Sequence, residues 1–233
     1  MIIEAIKAFS DNYIWSLVLE EGIILVDPGE SGPVFEYLAD KRQDLAAVLL
    51  THKHEDHVGG VAELKERFPE MTIYGPKEIV KLNDQTVYPG DTIEIFGKVF
   101  EILDCSGHTP SHVAYLVDDE LFCGDALFMA GCGRVFTGDY EASYQTLQTF
   151  KSLSDKVRVY AGHEYGAKNL RFALSVGFNE DKVRETLEKV EELTELGVPA
   201  LPSTIGLEKQ INPFFSANSL EDFIQLRNQR DEF

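Results

Sequence analysis

Apolar and polar residues follow two different rhythms along the chain. Up to about residue 163, short apolar runs rich in β-branched and aromatic side chains recur at 14–19, 22–26, 46–50, 71–74, 92–96, 99–103, 113–117, 121–123 and 157–160, with turn residues between them. Helical spacing interrupts these runs at 33–39, 58–68 and 140–152. Many strands with a few separated helices predict sheet packed on sheet with helices outside, an α+β arrangement. Beyond about Gly166 the rhythm turns helical. One helix is expected at 168–176. The next begins at Asn179 as N-cap, has Glu180 and Asp181 in its first turn, and carries Val183, Leu187, Val190 and Leu193 on one face until Gly197 and Pro199 end it. A loop through Pro202 and Pro213 leads to a last short helix over 220–227. The expected division is therefore a domain over 1–165 and a small helical domain over 166–233.

Charge narrows the partners. Forty acidic residues against 21 basic ones leave a net charge of −19, the wrong sign for neutralising phosphates or docking on anionic lipid. No nucleic-acid or membrane partner is expected. Three cysteines, Cys105, Cys123 and Cys132, form neither a disulfide framework nor a C-x-x-C pair, and read as reduced thiols. Met1-Ile2-Ile3-Glu4 has no basic stretch leading into an apolar one, so a cytoplasmic location is expected, together with a monomeric state.

The chemistry concentrates in Thr51-His52-Lys53-His54-Glu55-Asp56-His57, which holds three of the six histidines. The preceding run 46–50 reads as a buried strand, and a strand end is where loops present functional groups from a rigid scaffold. Imidazole and carboxylate suit zinc, with iron or manganese as alternatives. Three histidines and an aspartate exceed one catalytic site and fall short of two. Gly107-His108-Thr109, Gly124-Asp125 and Gly162-His163 each follow a β-rich run and supply the remainder: five histidines and two aspartates, enough for two ions sharing a carboxylate. His112, the sixth histidine, reads as a structural or supporting residue.

T-H-x-H-x-D-H followed by G-H-T, G-D and G-H resembles the metallo-β-lactamase superfamily across roughly the first 165 residues, which implies a four-layer αββα sandwich. Four further stretches resemble glyoxalase II, the hydroxyacylglutathione hydrolases: Asp11-Asn12-Tyr13-Ile14-Trp15, Gly131-Cys132-Gly133-Arg134, His163-Glu164-Tyr165 with Asn169-Leu170, and Ile211-Asn212-Pro213-Phe214. The resemblance implies that His52, His54 and His108 bind a first divalent ion, that Asp56, His57 and His163 bind a second, and that Asp125 bridges them. Arg134 and Tyr165 fall on the family's substrate-binding positions, and Phe136 stands where many members have tyrosine. Many members also carry Arg and Lys soon after Asn-Pro-Phe to hold the glycine carboxylate of glutathione. Here Phe215-Ser216-Ala217-Asn218 has no positive charge, and the nearest later cations are Arg227 and Arg230. Weaker binding, a substitute cation and a different thiol remain three open readings.

The function implied is hydrolysis of a glutathione thioester, S-D-lactoylglutathione, to D-lactate and glutathione. Water bound to paired divalent ions is hydroxide near neutral pH, and Asp56 is placed to orient it or take its proton. There is no G-x-S-x-G nucleophile motif. The alternatives are a mononuclear iron persulfide dioxygenase, which shares much of the metal motif, or another hydrolase of the superfamily.

Overall fold

The computed structural model describes residues 1–233 and divides into two compact units: Met1–Asp104 with Ser111–Asp118, and Cys105–Pro110 with Asp119–Phe233. The expected boundary at 165/166 lies inside the second unit, so the C-terminal helices belong to the same compact body as residues 119–165.

In the first unit, β1 (Ile2–Ala8), β2 (Asn12–Val18) and β3 (Ile23–Val26) run antiparallel, and β4 (Leu45–Leu49), β5 (Thr72–Gly75) and β6 (Gln85–Thr86) continue the sheet in parallel. The switch follows from the connections, because parallel neighbours need a crossover. Helix α1 (Ser31–Ala39) carries the chain from β3 to β4, and α2 (Glu55–Val58) with α3 (Val61–Arg67) carries it from β4 to β5. Every residue of β3 is buried, as expected of a strand covered on both faces. Ile6, Ile23, Leu25, Val48, Val61 and Leu64 belong to the core formed with these helices. β7 (Thr92–Ile95), β8 (Lys98–Asp104) and β9 (Val113–Val117) form an antiparallel meander. The single helix expected over 58–68 is two helices interrupted at Gly59-Gly60, and the first of them already contains Asp56 and His57.

In the second unit, β10 (Glu120–Gly124) runs parallel to β13 (Arg158–Ala161), with α4 (Tyr140–Ser152) in the crossover, and β14 (Ser203–Thr204) pairs antiparallel on β13. A small hairpin of β11 (Leu127–Phe128) and β12 (Gly131–Cys132) lies between β10 and α4. Four helices follow β13: α5 (Gly166–Ser175), α6 (Glu180–Glu195), α7 (Ile205–Ile211) and α8 (Leu220–Glu232). No helix is long and apolar enough to cross a membrane.

Three local expectations are corrected. Asn179 precedes α6, but its backbone is left-handed and its amide donates to the Gln210 carbonyl (2.7 Å) instead of capping the helix. Residues 205–211 are a helix rather than loop, capped by Thr204 Oγ1 accepting from Leu207 N–H at 3.0 Å. Helix α8 runs on to Glu232, well past Arg227. In α7 the inward face includes a charged side chain, Glu208, which breaks the apolar periodicity.

Glu208 is fully buried and anchors α7 to the hairpin. Its carboxylate accepts from Ala130 N–H (2.8 Å), Asn212 Nδ2 (3.0 Å) and the Ser203 hydroxyl. Loss of solvation outweighs these donors and pushes its pKa up from 4.5 to about 7. Below pH 4.5 the group is protonated whether folded or unfolded. As pH rises toward 7 only the unfolded chain releases the proton, so stability falls across that window, by on the order of 3 kcal/mol in all. Glu208→Gln keeps acceptor and donor in place without the charge. Urea unfolding between pH 5 and pH 8 should show its decline flattened, with the variant at least as stable as the parent at pH 8; an unchanged slope would acquit Glu208.

Candidate metal centre and adjoining cavity

The first unit supplies a compact polar group at the end of β4. Thr51 and His52 are buried, and Val113 N–H closes onto Thr51 O at 2.9 Å. Beneath them lies Asp27, a residue with no signal in the sequence beyond its place after a buried strand. It is 4% exposed and left-handed at φ 51°, and its own N–H is bonded to Leu49 O at 3.0 Å. Gly29 follows because a Cβ there would stand 1.9 Å from the Asp56 carbonyl. The Asp27 carboxylate accepts from Thr51 N–H (2.7 Å), the Thr51 hydroxyl (2.6 Å) and His57 Nδ1 (3.0 Å).

These bonds select tautomers. Thr51 spends its only hydroxyl proton on Asp27, so at 3.0 Å it accepts from His52 Nδ1. His52 and His57 thus both carry the proton on Nδ1 and keep a lone pair on Nε2, the arrangement of a ligating imidazole whose other nitrogen is held by the protein. His52 Nε2 stands 3.1 Å from His54 Nδ1, and His57 Nε2 stands 3.7 Å from an Asp56 oxygen that also accepts from Asn12 Nδ2 at 3.0 Å. Donor atoms of Asp27, His52 and His57 lie within 4.8 Å of one another. The His112 ring stacks on His52 at 4.6 Å.

The second unit carries a polar group of its own. His108 Nδ1 donates to Arg134 O at 2.8 Å, which again leaves Nε2 bare; that atom and His163 Nε2 each stand 3.4 Å from the same Asp125 oxygen. One acceptor-only carboxylate oxygen facing two imidazole nitrogens fits a divalent cation held among them. Gly133 is required here, since a Cβ would meet Asp125 O at 2.0 Å and His108 Nδ1 at 3.0 Å. Tyr165 stacks on His163 with ring centres 4.7 Å apart, and Phe128 meets both edge-on.

From His108 and Asp125 opens a cavity of about 330 Å³ whose wall includes Phe128, Cys132, Arg134, Phe136 and Tyr165. The three substrate-binding candidates, Arg134, Phe136 and Tyr165, therefore border one space. Phe136 is 62% exposed and sets an edge against His108 at 5.3 Å. The thiols are unfit as nucleophiles: all three are buried, and burial pushes Cys123 and Cys132 upward.

Asp27→Ala strands Thr51 N–H and one His57 donor in a buried site, a loss of about 2–5 kcal/mol. Asp27→Asn, which still offers one acceptor oxygen, should lose less. Denaturant midpoints of the two variants check this, and equal midpoints for Asp27→Ala and the parent would contradict it.

The family model for the metallo-β-lactamase superfamily matches residues 11–163, and that for the hydroxyacylglutathione hydrolase C-terminus matches 164–233. The chain is 50% identical to the hydroxyacylglutathione hydrolase of Glaesserella parasuis, covering 99% of each chain, and 44% identical, over the same shares, to that of Haemophilus ducreyi. Among solved structures, ETHE1 from Myxococcus xanthus superposes with TM-score 0.76 at 26% identity, over 98% of this chain and 90% of that one. The BLEG-1 B3 metallo-β-lactamase gives 0.72 at 19%, over 93% and 100%. The fold is that of the metallo-β-lactamases with a helical C-terminal region, and the chain belongs to the hydroxyacylglutathione hydrolase family of that superfamily.

Proposed function

We propose that the protein hydrolyses S-D-lactoylglutathione and related 2-hydroxyacyl thioesters of glutathione, releasing the hydroxy acid and the thiol. The observation that carries this reading is the cavity: His108 and Asp125 lie at its wall together with Tyr165, Lys168, Asn169 and Arg230, residues of the stretch matched by the hydrolase C-terminal model. It explains why a metal-site motif common to a superfamily is joined to this particular set of helices. D-lactate formation from a toxic 2-oxoaldehyde adduct, in the cytoplasm, would be its setting.

The proposed ligand set is the one that the family motif implies: His52, His54 and His108 for one ion, Asp56, His57 and His163 for the other, with Asp125 shared. The Nε2 lone pairs freed on His52, His57 and His108 support it. Zinc suits these donors, and iron or manganese would be accepted. Bound ions would supply hydroxide at neutral pH and polarise the thioester carbonyl. The protein's own part is to orient and exclude. Asp56, steadied by Asn12, orients the attacking water and accepts its proton. Tyr165 and Phe136 border the cavity that would take the thioester. As the water oxygen bonds the acyl carbon, the C–S bond breaks and the thiolate departs without a general acid, since a thiol near pKa 8.5 is a competent leaving group.

Asp125→Ala should lose bound metal and nearly all turnover, read by metal analysis and thioester hydrolysis; full activity would refute the shared-ligand role. Arg134→Ala should raise KM more than it lowers kcat. Chelation should abolish hydrolysis and added zinc restore it, with two ions per chain at full activity. Anaerobic hydrolysis of S-D-lactoylglutathione tests the reading as a whole: no hydrolysis, with oxygen consumed on glutathione persulfide instead, would replace it by the dioxygenase.

A further inference from the structure

A second cavity, of about 450 Å³, lies in the first unit and borders none of the groups assigned to hydrolysis. It opens where the end of α1, the connection to β4 and the end of α3 meet. Phe35 and Leu38 from α1, Leu45 at the start of β4 and Phe68 just after α3 give it an apolar floor. Phe35, Leu38 and Phe68 pack on the core of this unit but are only partly buried, and the two rings stand 6.4 Å apart. A concavity of this size, apolar below and bearing a few polar groups, has the form of a small-molecule site.

Its polar wall is basic. Lys41, Arg42 and Arg67 line it against one acid, Asp44, in a chain whose net charge is −19. Lys41 is already engaged: its ammonium pairs with Glu4 at 2.5 Å and lies 4.3 Å from the centre of the Tyr37 ring. Arg42 and Arg67 make no ion pair. Arg67 lies over the Phe68 ring, 5.5 Å from its centre, so its charge is carried on the apolar floor. Lys65 and Arg67 both suit the negative end of α3, but Lys65 is tied to Asp84 and to Met71 O, while Arg67 is left to the cavity. Two free guanidinium groups less the Asp44 carboxylate leave the wall short of one negative charge.

We infer that this cavity is a second ligand site, for a small amphipathic monoanion, an alkyl or aryl carboxylate. Its apolar body lies on Phe35, Leu38 and Phe68, and its carboxylate meets Arg42 and Arg67. Affinity comes from covering apolar side chains that water now reaches, and the planar guanidinium donors select the charged group. A neutral ligand of the same shape leaves both arginines unused, and a dianion brings surplus charge against Asp44. The site stands apart from the proposed metal ligands: Leu45 begins β4, and Thr51-His52 follows its other end. It is independent of the hydrolase reading, and its occupancy does not compete with a glutathione thioester.

Calorimetry on the full chain with octanoate, beside octanamide as its uncharged match, tests the site. Expected is one octanoate per chain, with octanamide about tenfold weaker for want of the charge-assisted contacts. Arg42→Ala and Arg67→Ala should each weaken octanoate about fivefold, toward the affinity of octanamide. Ala39→Trp, which puts an indole into the rim, should weaken both ligands. Saturating S-methylglutathione should leave octanoate binding unchanged. All three substituted side chains are exposed, so the variants should keep the parental fold and parental thioester turnover. No binding of octanoate at millimolar concentration, equal affinity for octanamide, or octanoate binding unaltered in Ala39→Trp and both arginine variants overturns the site. None of these outcomes touches the hydrolase reading, which fails only if the parent hydrolyses no glutathione thioester.

Discussion

Removing a carboxylate from water is among the costlier acts in folding, and it succeeds only where donors converge on it. Asp27 meets that condition with the Thr51 amide, the Thr51 hydroxyl and the His57 ring. Because each donor is also part of the adjoining segment, satisfying the charge and arranging the histidines are one event. The strand order of the first unit follows from the same point: β3 must end beside β4 for Asp27 to lie under Thr51, and parallel pairing across the α1 crossover puts the two strand ends together.

The second unit solves a related problem by other means. Residues 126–134 turn sharply around Asp125 and His108 and leave backbone groups that the short hairpin cannot satisfy alone. Side chains of the helices, and of Asn212 just after α7, take them up: Asn169 on Met129 O, Asn212 on Gly131 O, Arg227 on Cys132 O and Glu208 on Ala130 N–H. The C-terminal helices therefore hold the backbone that carries the chemistry as well as bordering the cavity. A cluster of groups suited to metal ions becomes tied to one cavity shape.

The sequence made the framework legible wherever apolar residues repeat without interruption. Strands 113–117 and helix 140–152 stand where the periodicity puts them, and His52, Asp56 and His57 lie at the strand end implied by the run before them. What escaped shares one property: a charged or amide side chain facing inward. Glu208 hid α7, and Asp27 carried no motif at all. Apolar periodicity records the contacts that exclude water. A buried polar group records a partner distant in sequence, and nothing local marks that partner.

The burial of the thiols has a consequence for the chemical environment of such an enzyme. Cys123 bonds to Leu127 O, Cys132 lies under Arg227, and burial pushes both thiols upward, away from the thiolate. With Cys105 also enclosed, the chain presents no thiolate for electrophiles or peroxides to capture. A catalyst working among reactive carbonyl adducts and a pool of exchangeable sulfur compounds would stay unmodified as that pool shifts, so its output would follow substrate supply rather than redox state.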